Sequence, residues 1–201
     1  MNKKYYDFDA HEFLSMPSVA NELDQDTLTK LGNREVRLED AVFFATADVS
    51  GQGGTTELIT NSTAKKKGTV NFDKSTLPKL ENLVLKSIQF GYAAVDEGDD
   101  VAKAVFSSVI PADMDPAVLK ATLVIRQEDK IVFERPVRDL MAESEEDPKI
   151  YNLTNWRLIK GDRLLEIKLE YPEGLSVAAS GATLDTHYVE VRLIGTKTRV
   201  K

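Results

Sequence analysis

The chain has 201 residues, enough for one large or two small domains, and a compact fold of this length buries about 70% of its unfolded surface. Hydrophobic residues make up 42% and charged residues 29%, the balance of a folded globular protein and not of a disordered tail. The absence of cysteine excludes disulfides, thiolate nucleophiles and cysteine-held zinc, and a net charge of −7 disfavours nucleic acid as the main partner, because phosphate binding depends on Lys and Arg.

Met1 to Asp7 lacks the apolar core of a secretory signal. The longest uncharged stretch, Leu175 to Leu184, falls short of the roughly 18 residues that cross a bilayer. The expectation is a chain without a membrane span, made in the cytosol, in which the sequons at Asn61 and Asn152 are chance matches. No repeat of roughly 20 to 50 residues recurs, which argues against solenoids and propellers.

Residues 1–35 read as an N-terminal arm and residues 36–201 as a strand-rich body. In the arm, Asp9 to Glu12 has capping-box spacing and Met16-Pro17 is a stop, which predicts a short helix between them; a second helix is predicted from Asp26 to Leu31, ending at Gly32-Asn33. Neither is long enough to be stable alone. Tyr5, Tyr6, Phe8, Phe13 and Leu14 give this arm more apolar anchors than a free tail needs. They are the candidate partner-contact residues, with packing on the chain's own body as the alternative.

The body begins near Val36. Val49 to Thr56, rich in glycine, is read as a loop. Ser50 to Thr55 lacks both the Gly-Lys-Ser/Thr ending of a phosphate loop and the third glycine of a dinucleotide fingerprint. The run Lys65-Lys66-Lys67-Gly68 is read as a solvated loop tip. Leu83 to Tyr92 alternates as a strand, with Val84, Ile88, Phe90 and Tyr92 on one face and Lys86 out of pattern. Asp96 to Asp100 is acidic but lacks the alternating ligands and terminal Glu of an EF-hand, so it is read as a solvated turn, with a calcium loop as the lesser alternative. Asp99 to Val109 fits a helix or a strand.

Leu119 to Ile125 and Ile131 to Val137 flank the polar Arg126 to Lys130 and predict an antiparallel hairpin, with Pro136 at a strand end. Glu143 to Pro148 is read as a solvated acidic loop. Trp156 to Ile159 and Leu164 to Tyr171 are predicted to form a second hairpin across Lys160 to Arg163. In the latter run, Leu165, Ile167, Leu169 and Tyr171 alternate with Glu166, Lys168 and Glu170. The last strand is placed at His187 to Gly195. Antiparallel strands joined by short turns, without strand-helix alternation, predict a mainly β fold, a sandwich or barrel.

No catalytic, cofactor or metal constellation assembles from these residues. The two histidines, His11 and His187, show no ligand spacing, and no serine sits in a Gly-x-Ser-x-Gly elbow. Nothing selects a pair of carboxylates for hydrolysis. The single Trp156 is read as a packing residue, although a carbohydrate-binding module or adhesin is the alternative reading of such a sandwich.

Three stretches carry a resemblance: Ala121 to Phe133, Trp156 to Ile167, and Tyr188 to Gly195. They lie within Leu119 to Gly195, a stretch covering roughly 40% of the chain, which resembles the C-terminal half of jelly-roll structural proteins of tailed and icosahedral bacteriophages. The resemblance implies a single jelly-roll sandwich and a non-enzymatic virion protein forming or decorating a capsid. It implies a homo-oligomer within an assembly of itself and other virion proteins, with terminal arms that clasp neighbours.

Overall fold

The computed structural model describes residues 7–33, 35–79, 81–96, 99–144, 149–181 and 185–200. The chain is mainly β. Eight strands, β1 (Val36–Asp48), β2 (Thr55–Glu57), β3 (Leu83–Val95), β4 (Thr122–Gln127), β5 (Lys130–Pro136), β6 (Tyr151–Ile159), β7 (Leu165–Glu170) and β8 (Thr186–Val200), form two four-stranded sheets. Their orders are β1-β8-β3-β6 and β2-β7-β4-β5, and every paired neighbour is antiparallel. The inner faces meet in one core. Phe43, Ile88, Phe90, Val191 and Leu193 come from the first sheet, and Leu123, Ile125, Phe133, Ile167 and Leu169 from the second. Each large aliphatic side chain buried this way contributes about 1.5–3 kcal/mol.

β7 follows its sequence pattern: Leu165, Ile167 and Leu169 are fully buried, and the charged residues between them face outward. β1 behaves differently. Val36 and Leu38 are buried at its start and Phe43 and Ala45 further along, so burial passes from one face to the other although the register with β8 is unbroken. The reason is a second core on the outer face of the first sheet. There the arm lays Ala10, Leu14, Leu23 and Leu31 on Val36, Leu38 and Val84.

The arm contains α1 (Phe8–Ser15), α2 (Pro17–Ala20) and α3 (Gln25–Gly32). The cap of α1 is Asp7 and not the predicted Asp9: Oδ1 of Asp7 accepts from the Ala10 amide at 3.0 Å. Pro17 ends α1 as expected but also opens α2 at its first position, where a missing N–H costs nothing. Asp24 caps α3 through the Thr27 amide at 2.8 Å.

Four further expectations are corrected. β6 and β7 are not a hairpin; they lie in opposite sheets, and the chain crosses between them at Gly161, whose Cα sits so close to the Pro78 and Glu81 carbonyls that a side chain has no room. The Gln127 side chain braces this crossing by bonding both the amide and the carbonyl of Lys160 at 2.8 Å. Val84 does not share a face with Ile88: the register of β3 shifts between Leu85 and Ser87, so Val84 faces the arm while Ile88, Phe90 and Tyr92 face the main core. The runs expected as strands from Leu119 and up to Val137 are trimmed by helices α4 (Pro116–Lys120) and α5 (Val137–Leu140). Finally, β2 claims Thr55 and Thr56 from the glycine-rich loop. Asp99 to Val109, left open between helix and strand, holds a 3-10 turn at Val101–Lys103 and isolated bridges from Ser107 to Tyr92 and from Val109 to Ala142.

Gly195 marks the closest approach of the sheet. A side chain there would overlap the Val84 carbonyl at the bulge, in the middle of the β3–β8 pairing. Gly195→Ala is therefore expected to cost several kcal/mol in a denaturant titration, because the strands must separate to admit one methyl group. An unchanged midpoint would contradict the packing described.

Candidate functional site

Among the described residues no helix is long and apolar enough to cross a membrane. Three places in the fold gather polar or charged side chains. The first is the seat of the arm. Oδ2 of Asp7 accepts from Thr196 Oγ1 at 2.6 Å and pairs with the Lys86 ammonium, which stands at the β3 bulge. The same ammonium lies 4.6 Å from the centre of the Trp156 ring, and Phe13 meets that ring edge-on at 5.9 Å. One carboxylate thus caps α1 and fastens it to the sheet. Burial pushes the Asp7 carboxyl up, but Lys86, Thr196 and the Ala10 amide outweigh it and hold the group below its ordinary value.

The five arm anchors have different fates. Leu14 is fully buried against the chain's own sheet and Phe13 is half-buried on Trp156, which is the packing on the chain's own body given as the alternative for them. Phe8 is 63% exposed. Tyr5 and Tyr6 lie outside the described residues. Trp156 is partly buried, with the Lys86 ammonium over its ring and Phe13 packed against it.

The second place is a polar knot at one end of the main core. The Tyr92 hydroxyl and His187 Nδ1 share a hydrogen bond of 2.6 Å, both residues being buried, and the Asp115 amide donates to the same hydroxyl at 3.4 Å. The Asp115 carboxylate caps α4 through the Ala117 amide at 2.7 Å and accepts from the Ala178 amide at 2.9 Å. Ser50 Oγ accepts from the His187 amide at 2.8 Å, and the Gly51 amide donates to the Ala178 carbonyl. The glycine-rich loop, the segment before α4 and the segment around Ala178 are thereby tied together. Burial pushes the Tyr92 phenol up to about 12, with the Asp115, Asp113 and Asp185 carboxylates adding to it against the Asp115 amide. Tyr171 OH and Thr56 Oγ1 are buried facing each other nearby. The hydrogen bonds that are made here hold loops in place, and His187 acts within them as a structural residue. Among the described residues no three His, Asp or Glu side chains gather as a metal site.

The acidic candidates are engaged locally. Asp99 pairs with Lys103 at 2.6 Å, and Asp100 accepts from the Ala102 amide at 2.9 Å while facing Lys66 at 3.8 Å. Glu97 and Gly98, and Glu145 to Pro148 of the second acidic loop, lie outside the described residues.

The third place is the connection from β2 to β3, residues 58–82, which contains no helix or strand among its described residues. Irregular connections longer than about 12–15 residues in a compact domain usually carry function or are disordered. This one is clamped. Phe72 and Leu77 are buried in the main core. The Asn71 carboxamide accepts from the Phe44 amide and donates to the Val42 carbonyl, both at 2.7 Å, while the Thr69 carbonyl accepts from Thr46. Asn71 stands where a neighbouring strand's peptide group would, and so closes part of the β1 edge. Beside it, Asp40, Phe43, Lys65, Asp73, Lys74 and Lys197 border a groove of about 720 Å³. Sequence reading missed this site: Lys65 to Lys67 gave a charge signal, but only the length of the aperiodic stretch pointed to it.

No family model matches the sequence, and no curated protein or solved structure matches it either.

Two outcomes check the knot and the latch. Tyr92→Phe leaves His187 Nδ1 and the Asp115 amide without their buried partner and is expected to cost about 1–3 kcal/mol of stability. Because the folded phenol titrates near 12 and an unfolded one near 10, this stability is complete below pH 10 and is lost as pH rises through about 12, which an alkaline titration followed by circular dichroism will read. For Asp7 the sign is reversed: its contribution is complete above the ordinary value of 3.8 and fades as pH falls through the lower folded value. Since Trp156 is the only tryptophan, Asp7→Ala is expected to red-shift its emission at neutral pH and to cost about 1 kcal/mol or more. An unmoved spectrum would mean that Asp7 does not hold the arm.

Proposed function

We propose that this chain is a single jelly roll and serves as a non-enzymatic structural protein of a bacteriophage virion, forming or decorating the capsid through protein-protein contacts. The observation that carries the reading is the nesting of the strands: β1 pairs with β8, β2 with β7 and β4 with β5, and β6 pairs with β3, with β8–β3 and β7–β4 joining the pairs into two facing sheets. An eight-stranded sandwich wound in this way is the layout of jelly rolls in viral shells and in lectins. Between those two uses, the packing of Trp156 favours the shell, since the chain's own Lys86 and Phe13 already engage the one indole a sugar site would use.

The polar side chains of the interior and its margin support the same reading, because Asp115, His187 and Gln127 are spent on fixing loops and crossings. A shell component works by presenting a rigid exterior, and clamped connections supply one. The reading places the protein in the virion after synthesis in the host cytoplasm, with copies of itself and other virion proteins as partners.

The test is sedimentation of the full-length chain across a wide concentration range, with and without purified particles. Growth into defined oligomers or cosedimentation with particles is expected. A chain that stays monomeric and binds no particle, or that gives reproducible signal on a glycan array, would overturn the proposal.

A further inference from the structure

The Leu58–Asn82 connection concentrates positive charge on an acidic protein. It carries Lys65, Lys66, Lys67, Lys74 and Lys79 against Asp73 and Glu81, within a chain of net charge −7. All five lysines are exposed. Only Lys66 has an ion pair among the described residues, with Asp100 at 3.8 Å; Glu81 is already held by Lys197 at 3.3 Å. Their backbone is pinned by Asn71, by Ser75 Oγ donating to Asn61 Oδ1 at 2.6 Å, and by the Lys74 amide donating to the Thr63 carbonyl at 2.8 Å. The charges therefore stand on an ordered scaffold.

The opposite sign is displayed on the outer face of the second sheet. Glu57, Glu166, Glu170 and Glu134 alternate with the buried positions of β2, β7 and β5, against Lys168 and Arg126. Lys168 is shared between Glu57 at 3.4 Å and Glu166 at 3.1 Å, which leaves this face short of cations. Each surface also shows an aliphatic side chain that is 46% exposed, Val42 beside the lysine connection and Ile131 beside the glutamates.

We propose that the lysine face of the Leu58–Asn82 connection docks on the glutamate face of β2, β7, β4 and β5 of a second copy of this chain. The proposal deepens the structural role above and rests on it for the identity of the partner. The contact is heterologous, one patch on a different patch, so it propagates into rings or open arrays. Lysines and glutamates at its rim set encounter rate and register. The chemistry favours a protein acid over nucleic acid: the connection has no arginine to fork a phosphate, its one aromatic residue, Phe72, is 1% exposed and offers no stacking surface, and the remaining chain repels a polyanion.

The test is a charge exchange in the full-length protein, read by sedimentation velocity at about 50 mM and about 500 mM salt. One variant combines Lys65→Glu, Lys67→Glu and Lys74→Glu; the other combines Glu134→Lys, Glu166→Lys and Glu170→Lys. Wild-type association is expected to weaken at high salt, each variant alone to lose roughly tenfold or more, and an equimolar mixture of the two to regain association. Circular dichroism and Trp156 emission check that both variants are folded. Variants that associate as the wild type does, or a mixture that stays apart, would remove this interface and leave the structural role standing. A lysine variant that loses binding to a short DNA duplex while self-association is unchanged would overturn it in favour of nucleic acid. A wild-type chain that neither self-associates at either salt nor sediments with particles would remove the structural role as well.

Discussion

Pairing β1 with β8 brings Val36 opposite Val200, so the sheet on which the arm rests cannot exist until the two ends of the body have met. The remaining strand pairs lie inside that long closure, and all of them except the β4–β5 hairpin join segments distant in sequence. Chain entropy lost on closing such loops is recovered only when the strands are zipped, which makes folding of this topology slow relative to helical proteins of equal size. The arm helices, too short to persist alone, gain their stability from a surface assembled from β1, β3, β6 and β8. Their docking is therefore a late event, and the Asp7 carboxylate is where it is sealed.

The two outer faces of the sandwich solve the problem of exposure differently. The first sheet is apolar outside at one end and needs a cover, which Ala10, Leu14, Leu23 and Leu31 provide. The second sheet is wet, and its central Val124 is 1% exposed beneath the longer side chains beside it, with Lys168 and Glu134 directly opposite on the neighbouring strands. Stems of charged residues lying over an apolar centre are an economical way to keep such a face soluble. The molecule is consequently polarised: one side is finished by its own chain, and the other is left as a charged plane.

Local pattern was legible in the residues where one face is buried and the other wet. Leu165, Ile167 and Leu169 announce β7 without ambiguity, and the β4–β5 hairpin is written in two apolar runs around a polar turn. Partners were not legible. Trp156–Ile159 and the β7 run stand four residues apart and look like neighbours in one sheet, yet the tight fit of Gly161 against Pro78 and Glu81 sends them to opposite sheets. The bulge shows in the sequence only as Lys86 breaking the alternation, and a count that passes over that one residue merges Val84 and Ile88 into one face. Leu14 read correctly as an anchor, but alternation and composition do not say against which surface an anchor is set. The lysines of the β2–β3 connection looked like a solvated tip because the clamp that orders them is made by Asn71 acting across 27 residues on Phe44.

The Asn71 carboxamide has a colloidal consequence. An exposed sheet margin is a template on which a stray extended chain can crystallise, and aggregates grown that way resist dissolution. By occupying the Val42 carbonyl and the Phe44 amide, a single side chain denies that template to foreign segments along this stretch of β1. Contacts made there must run through side chains instead of a shared backbone ladder, and such contacts are reversible.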